Sequence, residues 1–116
     1  MASGTVKKGF KLLWTNPSPT ASFAAQAVPV DLTGYDFLAV EVIFNLSNPV
    51  LFPVCLYAAS VTDFYMPVNA QSSNNSGARQ GSYSSVQKKI TFSSASYNGS
   101  TNNNYVIPLY IWGVKL

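Results

Sequence analysis

Tyr105-Val-Ile-Pro-Leu-Tyr-Ile-Trp-Gly-Val-Lys115 is the stretch on which the fold of this chain turns. It is almost continuously apolar and rich in β-branched and aromatic residues, the composition of a strand. Side chains alternate across a strand, so Tyr105, Ile107, Leu109 and Ile111 share one face, and Val106, Tyr110, Trp112 and Val114 share the other. Neither set is polar. A strand wetted on one side alternates apolar with polar residues, so this one is expected to be covered on both faces. The domain's own core covers one face, and the other is expected to meet a further copy of the chain. Oligomerisation is therefore the first expectation.

Upstream, Asp36 to Leu46 gives the cleanest alternation, with Leu38, Val40, Val42, Phe44 and Leu46 on one face opposite Asp36, Ala39, Glu41, Ile43 and Asn45. Phe10 to Trp14 predicts a first strand with Phe10, Leu12 and Trp14 on one side. Asn16-Pro-Ser-Pro-Thr20 ends it, because proline lacks a donor and holds its predecessor extended. Ala24 to Leu32 predicts a second strand with Val28, Val30 and Leu32 inward, and Pro29 marks it as an edge or bulge. Val50 to Ala59 reads as a mostly apolar strand interrupted by Pro53, and Val61 to Val68 as a loop or short strand. Residues 69–82 read as one long polar loop, Tyr83 to Phe92 as a strand, and Asn98-Gly99 as a tight turn.

No helical period or internal repeat is present. Seven or eight short strands punctuated by Gly, Pro and Asn predict an all-β fold, an antiparallel β-sandwich of jelly-roll-like or Greek-key type. Residues 1–9 read as a flexible lead-in or linker stub and residues 10–116 as one domain.

Composition narrows the function. Only 9% of the 116 residues are charged, while 47% are hydrophobic and 14% aromatic, which suits a tightly assembled particle component better than a cytosolic enzyme. The net charge of +3 comes from scattered groups; Lys7 and Lys8 make a pair and not a basic stripe, so no nucleic-acid partner is expected. Histidine is absent, which rules out a Ser-His-Asp triad and the imidazole metal ligand. No cofactor and no metal are expected. Cys55 lies in an apolar run and reads as a buried, inert thiol. Glu41 is expected in an ion pair with Lys88 or Lys89. No stretch approaches the roughly 20 apolar residues of a membrane span, and no signal-peptide core opens the chain, so no membrane insertion is expected. Asn45-Leu-Ser, Asn74-Asn-Ser and Asn98-Gly-Ser match the glycosylation pattern, to which no role is assigned.

Two segments resemble a known family. Lys11-Leu-Leu-Trp-Thr-Asn-Pro-Ser-Pro-Thr-Ala-Ser-Phe-Ala-Ala-Gln26 with Val30-Asp-Leu-Thr-Gly-Tyr-Asp-Phe37 resembles the opening of a small C-terminal domain of tail proteins from phages and prophages of Firmicutes. Asn103-Asn-Tyr-Val-Ile-Pro-Leu-Tyr-Ile-Trp-Gly-Val-Lys-Leu116 resembles that domain's ending. The resemblance implies the host-facing, receptor-binding-type head of a tail fibre or baseplate protein. Its partners would be two further copies in a homotrimer, other virion tail proteins and a host surface polysaccharide or teichoic acid. It would be made in the bacterial cytoplasm without a signal peptide and would act, outside the cell, on the virion. The alternative is a purely structural virion part, a trimerising fibre tip or capsid decoration with no ligand.

A saccharide site needs aromatic faces for sugar C–H groups and fixed polar groups for hydroxyls. The candidates are Asp63, Tyr65, Asn75, Arg79, Tyr83, Tyr97 and Asn103, against the plainer readings of rim packing for the tyrosines and turn chemistry for the asparagines. Trp14 and Trp112 read as packing anchors. Glycoside hydrolysis needs two carboxylates about 5–10 Å apart, and four scattered acids offer no such pair in sequence, so no enzymatic activity is expected.

Overall fold

The computed structural model describes residues 6–69 and 75–116. The first residues of the expected lead-in, the middle of the expected 69–82 loop and the Asn74 sequon lie outside the described residues. Ten strands follow in order: β1 (Gly9–Thr15), β2 (Gln26–Pro29), β3 (Phe37–Asn45), β4 (Val54–Ala58), β5 (Asp63–Asn69), β6 (Ser76–Ser84), β7 (Lys89–Phe92), β8 (Ser96–Tyr97), β9 (Ser100–Thr101) and β10 (Tyr105–Lys115). Among the described residues there is no helix, and so none long and apolar enough to cross a membrane.

Two antiparallel sheets form the sandwich. One has four strands in the order β1-β10-β3-β4; the other has six, β2-β7-β6-β8-β9, with β5 on the second side of β6. The clean alternation of Asp36–Leu46 is realised directly. Leu38, Val40, Val42 and Phe44 of β3 face in and meet Phe64, Met66 and Val68 of β5 and Ile90 and Phe92 of β7. Burying each such side chain stabilises the fold by roughly 1.5–3 kcal/mol. Pro29 ends β2 at the margin of its sheet, where a missing N–H breaks no ladder. Asn98 and Gly99 both have positive φ, 49° and 87°, the conformation a two-residue hairpin turn between β8 and β9 requires.

Two expectations change. Residues 76–82 are not loop: they belong to β6 and pair with the whole of β5. For Val61–Val68, read as a loop or short strand, the strand is what forms: β5 starts at Asp63, and its strict alternation buries Phe64, Met66 and Val68. Tyr83–Phe92 is not one strand either, since β6 ends at Ser84 and a turn leads into β7. Among the described residues the count is therefore ten strands and not seven or eight.

The terminal strand also departs from strict alternation. Val106 has φ +48°, and the register with β3 slips between Pro108 and Tyr110. Pro108 pairs with Val42 and Ile111 with Val40, so both face in, while Tyr110 and Trp112 pair with the outward Glu41 and Ala39. The bulge would leave carbonyls without ladder partners, and a buried carbonyl needs a donor. Asn16 supplies them: its backbone N–H donates to Leu109 O (2.8 Å) and its Nδ2 to Pro108 O (2.8 Å), while its Oδ1 accepts from Ser18 N (2.8 Å). A matching slip in β1 between Leu12 and Trp14 turns Trp14 inward onto Phe23, with ring centroids 6.1 Å apart. Phe10, Leu12 and Trp14 therefore do not share a face.

Lys88 pairs with Asp31 (3.7 Å) and donates to Thr33 Oγ1 (2.8 Å), on the opposite sheet from Glu41. The expected Glu41–Lys88 pair is not formed. Cys55 is half-buried, opposite the inward Val40, and burial pushes its thiol pKa up.

Candidate functional site

The outer face of the six-stranded sheet carries a shallow groove of about 540 Å³, lined by Asp63, Tyr65, Gln80, Ser82, Thr91 and Ser93 together with the strand backbone between them. Register explains why these side chains converge. Asp63 lies opposite Ser82, which lies opposite Thr91, so a carboxylate and two hydroxyls form one row across β5, β6 and β7. Tyr65 lies opposite Gln80, and Ser93 is bonded to Gln80 from the far side, which forms the second row. Directly opposed Cβ atoms stand about 4.5–5.5 Å apart, and rows two residues along a strand about 6–7 Å apart.

The groove thus presents acceptors and donors on a rigid sheet, bordered by one exposed tyrosine ring. Gln80 and Ser93 are fixed by mutual backbone contacts: Ser93 N donates to Gln80 O (2.9 Å), and Gln80 N donates to Ser93 Oγ (3.0 Å). Tyr65 is held through its backbone, because the Tyr57 hydroxyl donates to its carbonyl across the sandwich edge. Beneath the groove, Phe64 lies over Gly81, where a side chain of any size would collide with the ring. The sheet under the polar side chains is therefore tightly packed.

Only Asp63 and Tyr65 of the seven candidates belong to this groove. Arg79 projects inward from β6 and is 1% exposed. Its Nε donates to Val106 O (2.9 Å), its Nη1 to Ser93 O (2.6 Å) and its Nη2 to Tyr105 O (3.3 Å), and its guanidinium stands 5.1 Å from the Phe23 ring centre. β8 covers β6 at Gly77 and Ala78 and β7 covers it from Gly81, so Arg79 stands at the break between them. It closes that gap and ties the sheet to β10. Burial pushes its pKa down to about 10, which leaves it charged at neutral pH.

Tyr83 is buried too, with its hydroxyl accepting from Leu32 N (3.0 Å). Tyr97 stacks on Tyr105 at 3.7 Å and 13°, and burial together with the Tyr97 contact raises the Tyr105 pKa. Asn103 accepts from Ala95 N through Oδ1 (2.9 Å) and from Phe23 N through its carbonyl (3.0 Å). Asn75 accepts from Asn98 Nδ2 (3.0 Å) at the start of β6. These five residues hold the second sheet and its hairpin together.

Gln80, Ser82, Thr91 and Ser93 are the groove residues that the sequence reading did not single out. Each pair keeps the i, i+2 spacing of one strand face, which is the signal that could have found them. The signal was masked because Arg79 and Gly81 between them do not read as a core face.

The four acids are dispersed. Asp31 is with Lys88 and Asp36 with Lys115 (3.5 Å), Asp63 borders the groove, and Glu41 lies on the outer face of the other sheet. Comparison with protein-family models, curated proteins and solved structures finds no match for the chain.

Proposed function

We propose that this chain is the host-facing head of a phage tail fibre or baseplate protein. In this reading it is a homotrimer that sits on the virion beside other tail proteins and attaches to a Gram-positive surface saccharide without catalysing a reaction. The observation that carries the ligand part is the groove over β5, β6 and β7, where one tyrosine ring borders a carboxylate, an amide and three hydroxyls on a flat, rigid sheet. Hydroxyl-rich ligands are read by such fixed polar groups beside an aromatic surface. Of the two ligand classes the resemblance implies, Asp63 in the groove favours a neutral polysaccharide over teichoic acid, whose phosphates a carboxylate repels. One carboxylate without a second supports binding over glycoside hydrolysis.

The alternative, a structural fibre tip or capsid decoration with no ligand, is favoured by a separate observation. Arg79, Tyr83, Tyr97 and Asn103 are all engaged in internal contacts.

The test is adsorption of labelled protein to purified Gram-positive cell walls, with and without their teichoic acid. Binding that survives teichoic acid removal and falls about tenfold or more in Tyr65→Ala and Asp63→Asn is expected, each a loss of about 1.4 kcal/mol. Unchanged adsorption in both variants removes the groove assignment, and no adsorption by the wild-type protein favours the structural reading.

A further inference from the structure

The outer face of the four-stranded sheet is the reverse of the groove face: it is apolar nearly throughout. Alternation continues upstream of β4, because Val42 N donates to Pro53 O (3.0 Å) and Phe44 N to Leu51 O (3.1 Å). Leu51, Cys55 and Tyr57 turn toward the core, while Phe52, Val54 and Leu56 turn out and are 48%, 58% and 60% exposed. Across the sheet, Phe10, 73% exposed, and Leu12 of β1 lie opposite Val114 and Trp112 of β10, and Tyr110 completes the span toward Glu41.

Scaling these fractions by ordinary side-chain areas, about 150–250 Å² for an aromatic, gives on the order of 600–700 Å² of exposed apolar surface on one face. Monomers rarely carry a patch beyond about 300–600 Å², and a stable association buries about 800 Å² on each partner.

Glu41 is the one charge in the middle of this face, and among the described residues its carboxylate takes part in no hydrogen bond or ion pair. Tyr110 lies opposite it on β10 and Trp112 two residues further along, side chains that carry a hydroxyl and an indole N–H donor. The face therefore contains its own complement: another copy laid against it brings donors for Glu41 and apolar side chains for the rest. A foreign partner would have to supply both.

We propose that this face, from Phe10 and Leu12 through Tyr110, Trp112 and Glu41 to Phe52, Val54 and Leu56, is where further copies of the chain pack. The inference rests on the oligomeric part of the proposed function and not on its ligand. It places the β5–β6–β7 groove on the far side of each chain, outward from the assembly.

Sedimentation equilibrium on the full chain tests it. The wild-type protein is expected as a trimer at micromolar concentration. The double variant Val54→Glu with Leu56→Glu is expected to associate on the order of 100-fold more weakly, with an unchanged circular dichroism spectrum. Val86→Glu, more exposed still but on the β6–β7 turn, is expected to remain assembled. Should the double variant fail to fold, alkylation of Leu56→Cys gives a second measurement: slower in the assembled protein than after dilution to monomer. A double variant that stays trimeric overturns the inference and leaves the trimer standing. A wild-type monomer overturns both, while a wild-type dimer that the double variant dissociates supports the face and overturns the number three.

Discussion

Replacing Arg79 by Met removes the one group that satisfies carbonyls of Val106, Ser93 and Tyr105 at the break between β7 and β8. Met keeps most of the apolar stem but has no donor. Two of the lost bonds are short (2.9 and 2.6 Å) and are expected to cost about 1 kcal/mol each, since the carbonyls are left buried without partners. The third, at 3.3 Å, adds little. Loss of the cation over Phe23 adds roughly 0.5–1 kcal/mol, for a total near 3 kcal/mol. At about 4 °C per kcal/mol for a domain of this size, Tm should fall by about 12 °C. The opposing effect is desolvation, because among the described residues no carboxylate pairs with this guanidinium, and burying a lone cation costs several kcal/mol. Urea unfolding followed by tryptophan fluorescence measures the balance, with Trp14 packed against Phe23 as the local reporter. Arg79→Lys should recover only part of the loss, since an ammonium cannot span three carbonyls with a planar fork. A Met variant as stable as the wild type would show that desolvation cancels the clamp, and would refute the role assigned to Arg79.

Two further outcomes follow from packing and charge. Gly81→Ala puts a methyl 2.3 Å from Cζ of the buried Phe64 ring and should destabilise by about 1–3 kcal/mol in the same urea titration, whereas Gly113→Ala meets the Tyr35 ring at 2.7 Å, and that half-exposed ring can swing away at smaller cost. In acid, Asp36 and Asp31 set the trend. The Leu116 N–H (2.9 Å) and then Lys115 hold the Asp36 carboxyl below its ordinary 3.8, and Thr33 followed by Lys88 does the same for Asp31. Folded pKa values lie below unfolded ones, so their contribution is fully present above that value and is lost as pH falls through the lower folded values. Tm should therefore be level down to about pH 4 and then decline. Asp36→Asn should make that decline shallower, and an unaltered slope would count against the C-terminal tether.

Much of the fold was legible because certain strands carry their whole signal in their own side chains. β3 buries four branched or aromatic residues at period two, and nothing else in the chain is needed to see it. Asn98-Gly99 and Pro29 announce a hairpin and a sheet edge through backbone chemistry that is local by nature. The groove was half legible: Asp63 and Tyr65 stood out by type, but their companions become neighbours only through the register of β5, β6 and β7.

The sequence by itself determined an all-β, antiparallel chain, rich in apolar side chains and poor in charge. Tertiary structure alone decided that residues 76–84 are a strand. The inward positions there are Gly77, Arg79, Gly81 and Tyr83; Phe44 and Val106 fill the space beside Gly77, and Phe64 the space over Gly81, so the hydrophobic signal of β6 is written elsewhere in the chain. Tertiary structure also decided the bulge in β10, because it is Asn16, more than ninety residues away, that satisfies the carbonyls at Pro108 and Leu109. The apolar excess was readable in the terminal strand, but most of the bare face lies at the sheet margins, on β1 and in the segment of β4, and Tyr110 is the exposed side chain that β10 adds to it.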